Sequence, residues 1–170
     1  MKICAIYILF VLLTATSLIN AQEPIKRPVT FEGKFSGCGT VFVYRVSEDK
    51  KKVVIVEASR GALNLSETPQ TFDIGSSDYL KVYMDDYEKP VQWLEYCTDE
   101  VSANDPKPKR IPAKSGKVTI YISKSSEPND PHLYRVTVEL NDLSFKPSGD
   151  HFYYLEKAEM KDVLVGWLPG

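Results

Sequence analysis

Two adjacent runs of β-branched and aromatic residues constrain this chain more than any other feature. Thr40 to Ser47 contains Val41, Phe42, Val43, Tyr44 and Val46, and Lys52 to Ala58 contains Val53, Val54, Ile55 and Val56. Side chains alternate between the two faces of a strand, so both runs are apolar on both sides. The short charged turn Glu48-Asp49-Lys50 joins them into a hairpin that has to be covered twice. β-branched residues lose side-chain freedom in a helix and pack well on a pleated surface, which favours strand here.

The rest of the chain follows the same rhythm of short strands and turn residues. Tyr79 to Asp85 alternates, with Leu80, Val82 and Met84 on one face. Lys117 to Ser123 places Val118, Ile120 and Ile122 inward, and Leu133 to Leu140 does the same with Tyr134, Val136, Val138 and Leu140. Asn141-Asp142 reads as a bulge or corner, and further strands are expected over 92–97, 152–157 and 163–168. Eleven Pro and nine Gly supply the turns, and no segment carries a helical apolar stripe. The expectation is an all-β fold with little helix: an antiparallel β-sandwich, with a β-barrel as the alternative.

The N-terminus reads as an address. Lys2 precedes the apolar run Ile3 to Leu13, and Ala21 offers a small residue before Gln22. That pattern predicts a signal peptide over residues 1–21 and a secreted or periplasmic location. The apolar run is shorter than the roughly 20 residues of a spanning helix, so no stable membrane span is expected once the leader is removed. Residues 22–28 are expected to be a flexible lead-in, and 29–170 a single domain with a long loop at 98–116. That loop carries Pro106, Pro108 and Pro112 among Lys107, Lys109, Arg110 and Lys114.

Loss of the leader removes Cys4 and leaves Cys38 and Cys97, 59 residues apart. Two cysteines in an oxidising compartment are expected to pair. Closing a loop of that length constrains the unfolded chain by ~4 kcal/mol in the chain-entropy description.

The charge balance narrows the function. With 21 Lys+Arg against 23 Asp+Glu the net charge is -2, which removes the electrostatic reason for nucleic-acid binding. Catalysis finds little support. His132 follows Asp130-Pro131 and His151 follows Asp150, but sequence neighbours on a strand face opposite ways and do not orient an imidazole. No G-x-S-x-G frame surrounds a serine. The acidic loops at Asp85, Asp86 and Glu88, at Asp99, Glu100 and Asp105, and at Glu127 and Asp130 lack EF-hand spacing and read as solvated tips. No metal and no cofactor is expected.

Tyr79, Tyr83 and Tyr121 lie opposite the apolar faces of their strands, which makes them candidate ligand-binding residues. Ordinary cross-strand tyrosines are the simpler reading. Trp93 and Trp167 are expected as core anchors. Asn64-Leu65-Ser66 matches an N-glycosylation acceptor. The expectation is an exported, non-enzymatic binding or protein-interaction module whose partner is a protein or a glycan. The alternatives are carbohydrate binding through the three tyrosines, or a small secreted hydrolase using His132 or His151.

Overall fold

The computed structural model describes residues 25–92, 95–99, 105–124, 132–149 and 151–166. The expected leader, Trp93, Trp167 and the acidic tip at 127–130 lie outside the described residues. Nine strands form: β1 (Ile25–Pro28), β2 (Phe35–Cys38), β3 (Phe42–Val46), β4 (Lys52–Ala58), β5 (Gln70–Asp73), β6 (Leu80–Asp86), β7 (Lys109–Lys124), β8 (Tyr134–Phe145) and β9 (His151–Val165). No helix occurs among the described residues.

The all-β expectation holds, but the layering differs from two purely antiparallel sheets. The strands form one sheet in the order β1-β9-β8-β7-β6-β4-β3-β2, with β5 also on β7. β1 runs parallel to β9, Ile25 opposite His151 and Pro28 opposite Tyr154. β1 therefore occupies the stretch expected to be a flexible lead-in. All four of its residues are exposed, so only its backbone ladder marks it as a strand. The sheet curls into a half-barrel and brings its β2–β3 end against β9. There Gly166 N–H donates to the Gly39 carbonyl at 2.7 Å, and Arg45 Nη1 donates to the Glu159 carbonyl at 2.5 Å. Close approach requires Gly37 at this seam, because a Cβ would lie 2.8 Å from a Val163 methyl and 2.7 Å from the Phe42 carbonyl oxygen.

The β3–β4 hairpin forms as expected and is buried on both faces. Val43, Val54, Val56, Val82, Met84 and Ile111 point into the main core, where they meet Val118, Ile120, Val136, Val138, Leu140 and Met160 of the opposite half. Tyr44, Val46, Val53 and Ile55 point the other way, into a smaller core. Each wholly buried valine or isoleucine contributes about 1.5–3 kcal/mol relative to exposure.

β7 belongs to both halves of the sheet. Its first residues, Lys109 to Pro112, pair with β6, and Ala113 onward pairs with β8. The strand thus begins inside the segment expected to be loop. Pro112, which has no N–H, is the last β7 residue on the β6 ladder and directly precedes the first on β8. The end of a ladder is a place where proline is tolerated. Register shifts at Ala113/Ser115 and Ser115/Lys117 turn the corner opposite Asp142, whose φ is 54°. The bulge expected at Asn141-Asp142 is therefore present. The strands expected over 152–157 and 163–168 fall, as far as their residues are described, on the single β9, which a second irregularity interrupts. The register shifts between Val136 and Val138, and Asp162, at φ 52°, donates its N–H to Thr137 Oγ1 at 3.2 Å.

The corner in β7 depends on Gly116, which has a φ of 122°. An added Cβ would lie 2.5 Å from Leu143 Cδ2 and 2.8 Å from the Asp142 carbonyl oxygen. Gly116→Ala is expected to cost about 2–4 kcal/mol through combined backbone strain and overpacking. Urea denaturation checks this, and a variant as stable as the parent would show that the corner relaxes around a side chain.

Candidate functional site

After β6 the chain doubles back as a strap across the outer face of the β3–β4 hairpin. Its start is tied to the hairpin turn: Tyr87 N–H donates to the Lys51 carbonyl at 2.8 Å and Val91 N–H to the Lys50 carbonyl at 3.0 Å. Its far end is tied to β2 by the Cys38–Cys97 disulfide, with Cα atoms 5.8 Å apart and both cysteines buried. The expected pairing is thus present, and it is what fastens the second cover over the hairpin. Residues 92–97, expected as a strand, form no strand among those described.

Beneath the strap the aromatic rings interlock. The Tyr44 and Tyr96 rings lie 5.0 Å apart and the Phe42 and Tyr96 rings 6.1 Å apart. Tyr44 Oη donates to Glu95 Oε1 at 2.8 Å, and Cys97 N–H donates to the same oxygen at 3.2 Å. Tyr96 Oη donates to Asp85 Oδ2 at 2.8 Å and also lies 2.8 Å from Tyr87 Oη. Arg110 completes the cluster with a bidentate contact, Nε to Asp85 Oδ1 at 2.8 Å and Nη2 to Asp85 Oδ2 at 2.9 Å. Its guanidinium carbon sits 5.1 Å from the centre of the Tyr83 ring.

Burial sets the chemistry of this cluster. It pushes the Tyr44 hydroxyl up to about 12, with the Glu95 hydrogen bond and charge adding to the effect. Burial also raises Tyr87, and raises Tyr96 much further with help from Tyr87 and Asp85. The Asp85 hydrogen bonds hold the Arg110 guanidinium above its ordinary value. The hydroxyls therefore stay protonated at neutral pH, and both oxygens of wholly buried Asp85 are taken up by donors. The arrangement is a clamp, and the carboxylate within it has no exposed surface to offer a substrate.

The sequence placed Asp85 in an acidic loop and Arg110 in a basic one, and so missed the pair. The available signal was register: Asp85 continues the outward series of Tyr79, Lys81 and Tyr83 on β6. Its neighbour Asp86 pairs with Lys52 at 3.3 Å and accepts from Tyr153 Oη at 3.0 Å.

The three candidate tyrosines separate. Tyr79 is 59% exposed, on a shallow groove of about 420 Å³ that also includes Phe42, Asp78 and Lys81. Tyr83 is half-buried under Arg110. Tyr121 lies on β7 opposite Thr137, nine positions beyond Pro112, the partner of Tyr83. Tyr83 therefore belongs to the β6 half of the sheet and Tyr121 to the β8 half, on either side of the corner at Gly116. The histidines do not meet either. His151 opens β9 with its ring edge-on to Tyr153, whereas His132 lies beside the other end of that strand, where Tyr134 pairs with Val165. Among the described residues no group of His, Cys, Asp and Glu could hold a metal ion, and no helix is long and apolar enough to cross a membrane.

Two open grooves flank the strap. One, of about 720 Å³, is lined by Asp86, Glu88, Lys89, Gln92 and Lys107. The other, of about 490 Å³, is lined by Glu32, Lys34, Glu48, Val91 and Gln92. Both combine acidic, basic and apolar groups, and both draw on loops of several strands.

Two outcomes are expected from this geometry. Arg110→Ala strands a carboxylate with no exposure and should cost about 3–5 kcal/mol. Asp85→Asn should cost less, because the Arg110 side chain is 44% exposed and can hydrate. Equal shifts in urea midpoint would contradict that asymmetry. The second outcome concerns alkali. Tyr44 ionises at about 12 in the folded chain against about 10 when unfolded, so above pH 10 the folded state binds more protons. Stability should be full below about pH 10 and fall as the pH rises towards 12, by roughly 3 kcal/mol for this residue. Denaturation midpoints across that range check this, and Tyr44→Phe should make the fall shallower.

No protein-family model, no curated protein and no solved structure matches the chain.

Proposed function

We propose that this protein is an exported, non-enzymatic β module that binds a partner through the strap and the grooves beside it. The observation that carries this reading is the strap itself: a loop tied at both ends over a doubly covered hairpin, with an open mixed-charge groove on each side. Recognition residues are commonly carried on loops held by a rigid scaffold. A disulfide persists in an oxidising compartment, which supports export together with the leader read at residues 1–21. In this reading the two halves of the curled sheet, facing each other across one core, act as the two layers of a sandwich.

Carbohydrate recognition is the second reading. Tyr79 favours it, because a large exposed ring beside Asp78 and Lys81 combines a stacking face with polar groups. Tyr83 and Tyr121 add little to a single site.

The test is capture from the secreted and envelope fractions of the source, using the full chain recovered after export and mass spectrometry of bound protein and glycan. A protein partner is expected. Lys89→Glu and Lys34→Glu, one on each groove, should weaken its retention about tenfold, while Tyr79→Ala should leave it unchanged. Loss of retention with Tyr79→Ala alone would move the assignment to glycan binding. A hydrolytic activity abolished by His132→Ala or His151→Ala would overturn the non-enzymatic reading.

A further inference from the structure

The loop between β4 and β5 carries the single Asn-x-Ser/Thr acceptor of the chain, Asn64-Leu65-Ser66. Asn64 and Ser66 are exposed, whereas Leu65 between them is buried and fixes the loop to the core. Asn64 has a φ of 50°, a conformation asparagine tolerates, and it closes a tight turn. The turn is held through its backbone: Asn64 N–H donates to the Gly61 carbonyl at 3.1 Å and Leu65 N–H to the Arg60 carbonyl at 3.0 Å. Ile122 N–H donates to the Ser66 carbonyl at 2.9 Å and anchors the loop to β7. A bulky polar group on the Asn64 side chain would project into solvent without displacing a packed residue.

We propose that this chain is an N-glycoprotein modified at Asn64. The proposal rests on the export reading, since the acceptor must enter a eukaryotic secretory pathway. The donor is an oligosaccharide linked to a lipid through pyrophosphate. Asn64 Nδ2 forms a bond to the anomeric carbon of the first sugar, the anomeric carbon–oxygen bond breaks, the lipid pyrophosphate leaves with the electron pair, and the amide loses one proton to a base. The loop departs from the Ala58 end of β4; the start of the strap, where both grooves meet it at Val91 and Gln92, is tied to Lys50 and Lys51 at the other end, and only the Cys97 end of the strap reaches back to Cys38 beside Phe42 and Glu57. Seven strand residues separate the two ends by roughly 20 Å. Ser59 N–H donates to the Tyr79 carbonyl at 3.0 Å, so the Tyr79 groove lies at the glycan end. The modification therefore crowds Tyr79 and leaves the strap grooves open.

The test expresses the full chain in cultured eukaryotic cells from two leaders, its own residues 1–21 and a proven secretory leader. Secreted protein is treated with peptide-N-glycosidase, and the peptide containing position 64 is sequenced by mass spectrometry. The expected result is one glycan increment that the enzyme removes, with Asn64 converted to Asp. Asn64→Gln and Ser66→Ala should both lose the increment and still be secreted, and Ser66→Thr should retain it. Secretion from either leader with unmodified Asn64 would overturn the proposal. Modification from the proven leader alone, with no secretion from the native one, would uphold Asn64 as an acceptor and overturn the export reading.

Discussion

Val53, Val54, Ile55 and Val56 follow one another in β4, and none has any exposed surface. Strand geometry sends Val54 and Val56 to one side and Val53 and Ile55 to the other. Both sides must then be shielded from water, and the fold does so by two different means. The curl of the sheet brings β8 and β9 over one face, so the two halves share a single large core. The strap covers the other face, which the strand order alone would leave wet. A cover without a regular ladder contributes little stability of its own. The disulfide compensates, since joining residues 59 apart constrains the unfolded chain by ~4 kcal/mol.

What the sequence disclosed and what it hid follow from the range of the signals. The β3–β4 hairpin and the inward series on β6, β7 and β8 rest on local alternation, and all were legible. The Cys38–Cys97 pair was legible by elimination. β9 was not recognised as one strand, because its buried residues fall at 155, 158, 160, 163 and 165. The period of two breaks between 155 and 158 and again, at the Asp162 bulge, between 160 and 163, so a reader of periodicity sees two strands. β1 has no buried side chain and hence no apolar signal. Whether strands form one curled sheet or two stacked ones depends on pairings between residues far apart in the chain, which alternation does not encode.

The candidate site was less legible than the fold, for a related reason. Asp85 and Arg110 stand among other charged residues in sequence, and composition there suggests solvated loops. Burial comes from the strap, a cover supplied by residues that follow Asp85 and precede Arg110. The same cover divides the outward tyrosines. Tyr83 falls beneath it, stacked under Arg110, while Tyr79 lies beyond its reach and stays exposed. An outward position on a strand indicates a face, and it indicates exposure only when nothing else packs on that face.

The clamp also explains how so short a ladder between β6 and β7 keeps its register. Only four residue pairs join the two strands, and Asp85 is directly opposite Arg110. A slip of one residue would turn Arg110 towards the apolar core and bring Ile111 out beneath the strap. In the slip that sets Ile111 opposite Asp85 the carboxylate loses its cation, and an unpaired buried carboxylate costs several kcal/mol. A buried ion pair adds little net stability over a well-packed apolar pair, but it penalises the wrong alignment heavily. That penalty matters here because β7 carries the chain from one half of the sheet to the other. With Arg110 held in place, the bulges around Gly116 absorb the change of direction, and Val118, Ile120 and Ile122 arrive on the core face. Tyr96 donates to the same carboxylate, so the interaction that aligns the two halves also seats the strap.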